Sequence, residues 1–145
     1  MGETALVESQ MADAFAIIRK LDQRGDVPSV AAWYLDEKID EWKLLIAGGS
    51  FDRLLKKEVR NAYRKIVEAM AEVGTSSLAV SDIQLISTDS KLSKAISKLI
   101  STGPQDLTRA HCVANSVNGI FLKEAIVLRS ANPPGTAVEA AGWKE

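Results

Sequence analysis

The sequence predicts an α+β domain in which three helices pack on a mostly antiparallel five-stranded sheet, in the order α-β-β-α-β-α-β-β. Three observations carry that reading. Apolar residues recur at helical spacing in three separate stretches. A fourth stretch sorts its apolar from its polar residues when folded as a hairpin, and Asn118-Gly119 is the preferred pair for a two-residue type I′ turn. At 145 residues the chain has the length of one domain with a sizeable core.

The first helix is expected over about Thr4 to Arg24, with Val7, Met11, Ala14, Phe15, Ile18 and Leu21 on one stripe. Gly25 stops it and Pro28 prevents its resumption. Ser29 to Ala47 follows. Folded about Glu37-Lys38-Ile39-Asp40, it sets Leu35 against Trp42 and Trp33 against Leu44. One face is then wholly apolar (Ala31, Trp33, Leu35, Trp42, Leu44, Ile46), and the other carries Ala32, Tyr34, Asp36, Glu41, Lys43 and Leu45. A single long helix is the competing reading, which Trp33, Tyr34 and the Leu44-Leu45-Ile46 run disfavour. A one-residue slip would place Trp33 against Lys43, so the segregation specifies the register.

Gly48-Gly49-Ser50 reads as a turn, with Ser50 or Asp52 as N-cap of a second helix over about Arg53 to Val73, closed by Gly74. A third strand is expected near Val80 to Ser87. Asp89 or Ser90 then caps a third helix carrying Leu92, Ala95, Ile96, Leu99 and Ile100, which Gly103-Pro104 ends. The Asn118-Gly119 turn joins strands of about Arg109–Val117 and Ile120–Arg129. The domain is expected to span residues 1–129, with residues 130–145, rich in small residues and proline, as a flexible tail.

Composition narrows the function classes. The hydrophobic share is 46% and the charged share 26%, both ordinary for a globular protein, and the net charge of −1 gives no global attraction to nucleic acid or to an acidic membrane. A single cysteine, Cys112, fits a reducing compartment. No apolar run approaches the roughly 20 residues that span a bilayer. Met1-Gly2 opens like a myristoylation site, but Leu6 stands where Ser or Thr is required. These features predict a cytoplasmic protein without membrane attachment.

Five features bear on chemistry. On the polar face of the first hairpin, Asp36 opposes Glu41, with Lys43 next along; like charges directly opposite are unfavourable and invite a cation. An acid on one strand and Glu41-Trp42-Lys43 on its neighbour resembles the metal site of the PD-(D/E)xK nuclease family, over about eight residues. That resemblance implies a divalent cation between Asp36 and Glu41, with Lys43 stabilising charge. It departs from the family pattern in that the carboxylates flank a tight turn and the apolar strand follows the motif. Taken as turn charges, Asp36, Glu37, Asp40 and Glu41 are simply solvated.

Basic helix surfaces come second. Arg53, Lys56, Lys57, Arg60, Arg64 and Lys65 face one acid, Glu58, and Lys56, Arg60 and Arg64 form one stripe. The third helix adds Lys91, Lys94 and Lys98. Should both helices share a side of the sheet, their outer faces form a surface for an anionic partner; otherwise they are ordinary solvated faces. Third, the Gly48-Gly49-Ser50 turn could offer amides to an anion at the helix start, but it lacks a nucleotide-loop spacing. Fourth, His111 lies diagonal to Glu124 across the second hairpin, as a structural polar pair; Cys112 points to the opposite face, so the two form no dyad. Fifth, both faces of the last hairpin are largely apolar, which calls either for helices on both sides or for a partner chain.

No sequence feature marks a cofactor site, and none is expected. The reading that follows is a non-enzymatic binding or accessory domain that engages another macromolecule through a sheet face or basic helix surface. The expected partner is a protein or a second copy in a homodimer. The rival classes are a metal-dependent nuclease using Asp36, Glu41 and Lys43, and a nucleic-acid or anion binder using the basic helices.

Overall fold

The spacing of Met11, Ala14, Ile18 and Leu21 winds the first stretch into α1 (Glu8–Gln23), which also buries Ile17. The computed structural model describes residues 8–36, 38–74, 77–117 and 119–131. The first hairpin comprises β1 (Val30–Asp36) and β2 (Glu41–Ala47), paired Trp33 to Leu44 and Leu35 to Trp42, as the segregation of faces requires. Of the four turn residues Glu37 lies outside the described residues, and Asp40 adopts φ +54°, a conformation aspartate tolerates better than most residues.

The expected second helix is two helices: α2 (Gly49–Lys57) and α3 (Val59–Val73) meet at Glu58, which has φ −142° and ψ 77°. One helix over the same 49–73 stretch would be about 37 Å long, whereas seven-residue strands run only about 23 Å. The bend lets Phe51 of α2 and Ala62, Ile66 and Ala69 of α3 reach one core. Gly48 is the N-cap of α2, not Ser50 or Asp52, and it makes no side-chain cap. The Asp52 carboxylate instead accepts bonds from the amide (3.0 Å) and hydroxyl (2.6 Å) of Thr88. That clamp fastens the chain at Thr88 to α2. The third strand is only β3 (Ile83–Leu85), because a single 3₁₀ turn at Val80–Asp82 occupies its expected start. Ser90 caps α4 (Lys91–Leu99) by accepting from the Ser93 amide. The final hairpin is β4 (Ala110–Val117) and β5 (Ile120–Ser130), closed by the Val117–Ile120 pair. Gly119 takes φ +79° in its turn, and Asn118 lies outside the described residues.

The strand order is β3-β2-β1-β5-β4, with β2–β3 parallel and the other pairs antiparallel: an α+β fold with a five-stranded mixed sheet and, among the described residues, four helices. Two clusters define its layers. Ala31, Trp33, Leu44, Ile46 and Leu85 pack beneath α1, α2 and α3. Val30, Ala32, Leu45, Ala47 and Val127 pack beneath Ile96 of α4 on the opposite face. Helices therefore cover both faces of the second half of β5, while Phe121 at its start and Val113 on β4 stay exposed.

A bulge in β5 organises the one fully buried cation among the described residues. Pairing with β1 steps from Ala32–Val127 to Ala31–Arg129, so Leu128 is the extra residue and Arg129 joins it on the α1 side. Arg129 is completely buried. It donates twice to Asp22 of α1 (2.9 Å each), once to the Pro28 carbonyl (3.0 Å) and once to the Asp106 carbonyl (2.9 Å). Beyond the expected boundary at 129, Ser130 is buried in β5 and Ala131 donates its amide to the Ser29 carbonyl. The remainder of the expected tail, 132–145, lies outside the described residues, as do Thr4 and Val7 of the expected first helix.

Candidate functional site

α3 is held against α1 by its last turns. Arg24 donates to Glu68 (2.7 Å) and Glu72 (2.8 Å), Lys20 lies 3.5 Å from Glu72, and Lys65 lies 3.3 Å from the largely buried Asp26. Upstream the pattern stops. Arg53, Lys56 and Lys57 of α2 and Arg60 and Arg64 of α3 are all exposed and have no hydrogen-bonding or ionic partner among the described residues. The bend at Glu58 creates a hollow of about 550 Å³ in which Arg53 and Lys57 sit with Ser50 and Leu54. The sequence placed Lys56, Arg60 and Arg64 on one continuous helical stripe; the break at Glu58 interrupts it between Lys56 and Arg60.

Beside these cations lies an apolar strip. Val59 and Val67 of α3 are about half exposed, at 49% and 48%, and Val80 is 39% exposed. Tyr63, Val67, Val80 and Ile83 floor a groove of about 570 Å³, with Arg60 and Arg64 on its rim. The Tyr63 hydroxyl accepts the Leu85 amide (3.0 Å), which fixes the ring at the β3 edge. Neither groove was legible from the sequence, because both depend on the Glu58 bend and on the 3₁₀ turn.

The other expected sites fall elsewhere. Lys91, Lys94 and Lys98 are exposed on α4, across the sheet from α3, so the two basic helix faces form no common surface. Asp36 and Glu41 are cross-strand partners as expected. Their side chains are engaged separately: Asp36 accepts the Lys38 amide (3.0 Å), and Glu41 lies 3.6 Å from Lys43, whose ammonium also donates to the Ser81 carbonyl (2.8 Å). Tyr34 is half-buried opposite Lys43 and packs against the α4-side cluster. His111 Nε2 lies 2.6 Å from Glu124 Oε2, on a hairpin surface that is largely exposed. Gly48 is buried with the Val27 carbonyl 2.9 Å from where a Cβ would stand, which ties the turn to the chain rather than opening it to an anion.

Among the described residues, no group of three or more His, Cys, Asp or Glu side chains is placed to hold a metal ion, and no helix is long and apolar enough to cross a membrane. Comparison with protein-family models, with curated proteins and with solved structures finds no match to the chain.

Proposed function

We propose that this domain is a non-catalytic binding module that engages an acidic protein surface through the exposed face of α2 and α3. The observation that carries the reading is the charge order of α3. Its N-terminal half bears Arg60 and Arg64 and its C-terminal half Glu68 and Glu72, the reverse of what the helix dipole favours. Glu68 and Glu72 are accounted for by Arg24 and Lys20 of α1. Arg60 and Arg64 have no hydrogen-bonding or ionic counterpart among the described residues; the i,i+4 placement of Arg64 before Glu68 accounts for little of this, and nothing in the helix accounts for Arg60. A binding partner does.

The chemistry of that partner follows from what surrounds the cations. Exposed Val59 and Val67 lie in the same helix face region as Arg60 and Arg64, and phosphate backbones offer nothing to valine side chains. Tyr63, the aromatic residue of the groove, is anchored through its hydroxyl and built into the floor, unlike the free rings on which bases stack. The mixture of apolar and cationic groups matches a protein segment that mixes apolar and acidic side chains.

The test is titration of a fluorescent acidic–apolar peptide, with an oligonucleotide of equal charge as comparison. The peptide is expected to bind in a salt-sensitive manner, and Arg60→Glu/Arg64→Glu to weaken it about tenfold, given up to about 1 kcal/mol for each exposed charge contact. Folding stability should fall by no more than about 1 kcal/mol, since Arg60→Glu suits the helix dipole while the double substitution adds like-charge i,i+4 pairs along the helix up to Glu68. Peptide binding that is absent, indifferent to the substitutions, or weaker than oligonucleotide binding overturns the reading.

A further inference from the structure

We propose that the partner of the α3 groove is a second copy of this chain, which inserts its β1–β2 turn. The inference rests on the acidic-partner reading above and names the occupant. What the groove requires is an exposed apolar side chain followed by carboxylates, and the exposed Lys38 that precedes Ile39 must then point away from Arg60 and Arg64. The chain carries that combination itself: Ile39, at the tip of the β1–β2 turn, is 50% exposed, with Asp40 and Glu41 directly after it. Asp40 has no partner among the described residues. Ile39 thus matches the floor of Val67, Val80 and Ile83, and Asp40 and Glu41 match the rim of Arg60 and Arg64.

The exposed apolar residues point to the same surface. Of the six large ones among the described residues, Ile39 is on the turn, Val59 and Val67 are on α3, and Val80 is on the 3₁₀ turn; only Val113 and Phe121 lie on the distant hairpin. A surface that gathers exposed apolar side chains is a contact surface more often than a solvated one.

Turn and groove are also neighbours within one molecule. Lys43 spans them, 3.6 Å from Glu41 at the end of the turn and 2.8 Å from the carbonyl of Ser81, which lines the groove. The acidic half and the basic half of the patch therefore lie side by side. Two such patches related by a two-fold axis set each turn upon the other groove, so every contact occurs twice and the assembly closes as a dimer. An end-to-end filament does not form, because no binding half is left over.

Sedimentation velocity over a wide concentration range tests the proposal. The wild type is expected to show a concentration-dependent dimer that weakens with added salt. Both Arg60→Glu/Arg64→Glu and Asp40→Asn/Glu41→Lys are expected to weaken association about a hundredfold, since each variant alters both symmetric contacts at about tenfold apiece. Asparagine is chosen at position 40 because it accepts the positive φ there. Mixing the two variants should restore a heterodimer: one contact joins the unaltered groove to the unaltered turn, and the other joins the reversed groove to the reversed turn. A wild type that remains monomeric at every concentration overturns the proposal, as does a dimer that neither variant weakens. A monomer that still binds the acidic–apolar peptide refutes self-association alone; a monomer that binds no peptide refutes the acidic-partner reading as well.

Discussion

Arg129 offers the sharpest test of the packing. Its side chain is fully buried while Asp22, its ionic partner, keeps 11% of its side-chain surface, so the two members of the pair should not be equally costly to lose. Removing the aspartate leaves a buried guanidinium with only the Pro28 and Asp106 carbonyls as acceptors. An uncompensated buried charge costs about 3–5 kcal/mol. Removing the arginine leaves a carboxylate that water can reach, so Arg129→Met should cost less, about 2–3 kcal/mol, chiefly for the lost hydrogen bonds. For a chain of this length about 1 kcal/mol lowers Tm by roughly 3 °C. Asp22→Ala should therefore lower it by about 10 °C or more and Arg129→Met by rather less. The double variant Asp22→Leu/Arg129→Met, in which neither charge is stranded, should recover to within about 1 kcal/mol of the wild type. Urea unfolding monitored by tryptophan fluorescence, to which buried Trp33 contributes, reads all three. Additive losses in the double variant, or an Asp22→Ala cost under about 1 kcal/mol, would refute the claim that Arg129 is held as a desolvated charge.

Two further outcomes follow from single contacts. Asp52→Ala removes both acceptors of Thr88 and should cost about 1–2 kcal/mol, with faster amide exchange confined at first to the β3–α4 connection; unchanged exchange there would count against the clamp. At the start of α1, the hydrogen bonds and charge of Arg109 hold the exposed Glu8 carboxyl below its ordinary value of 4.5. A depressed folded pKa means that the contact stabilises above about 4.5 and is lost as pH falls through the lower folded value. An NMR titration should place the Glu8 midpoint below 4.5 and return it towards 4.5 in Arg109→Gln; equal midpoints in the two proteins would exclude the contact.

Both hairpin registers were legible in the sequence, for different reasons. In the first, only one pairing keeps Lys43 away from Trp33, and β1 and β2 adopt it. In the second, a two-residue turn sets Val117 against Ile120, and every later pair follows, including the diagonal that brings His111 to Glu124. The bulge at Leu128 was not legible, because Ile126-Val127-Leu128 is apolar throughout and gives no sign of which residue is extra. A charged residue ending such a run, with acids at hand in a neighbouring helix, was the only hint of the Asp22–Arg129 pair. Glu58 offered no warning either: it is a good helix former without the signature of a break, and what bends the chain there is the length of the sheet beneath it. The side of the sheet on which each basic helix lies is likewise a property of the crossovers. Since β2 and β3 are parallel neighbours joined through α2 and α3, the handedness of that connection fixes α3 to one face. α4, running from the β3 edge to β4 at the opposite edge, covers the other.

The molecule uses its charges in two opposed ways, and the contrast bears on function. Where a charge is buried or packed between elements, its partners are complete: Arg129 with Asp22 and two carbonyls, Asp26 with Lys65, Asp52 with Thr88, and the Asp13 carboxylate with the amides of Ser77 and Leu78. Those contacts join segments far apart in sequence and stabilise only because every member is present. On α2 and the first half of α3 the reverse holds: five exposed cations stand together without a partner among the described residues, and one of them, Arg60, lies in the first turn of α3, where the dipole disfavours it by up to about 1 kcal/mol. A surface kept for stability alone would place acids in the first turn of α3, which has none. On the reading proposed above, Arg60 set against the dipole beside exposed valines lowers the stability of the free domain, and an acidic, apolar partner would offset that cost.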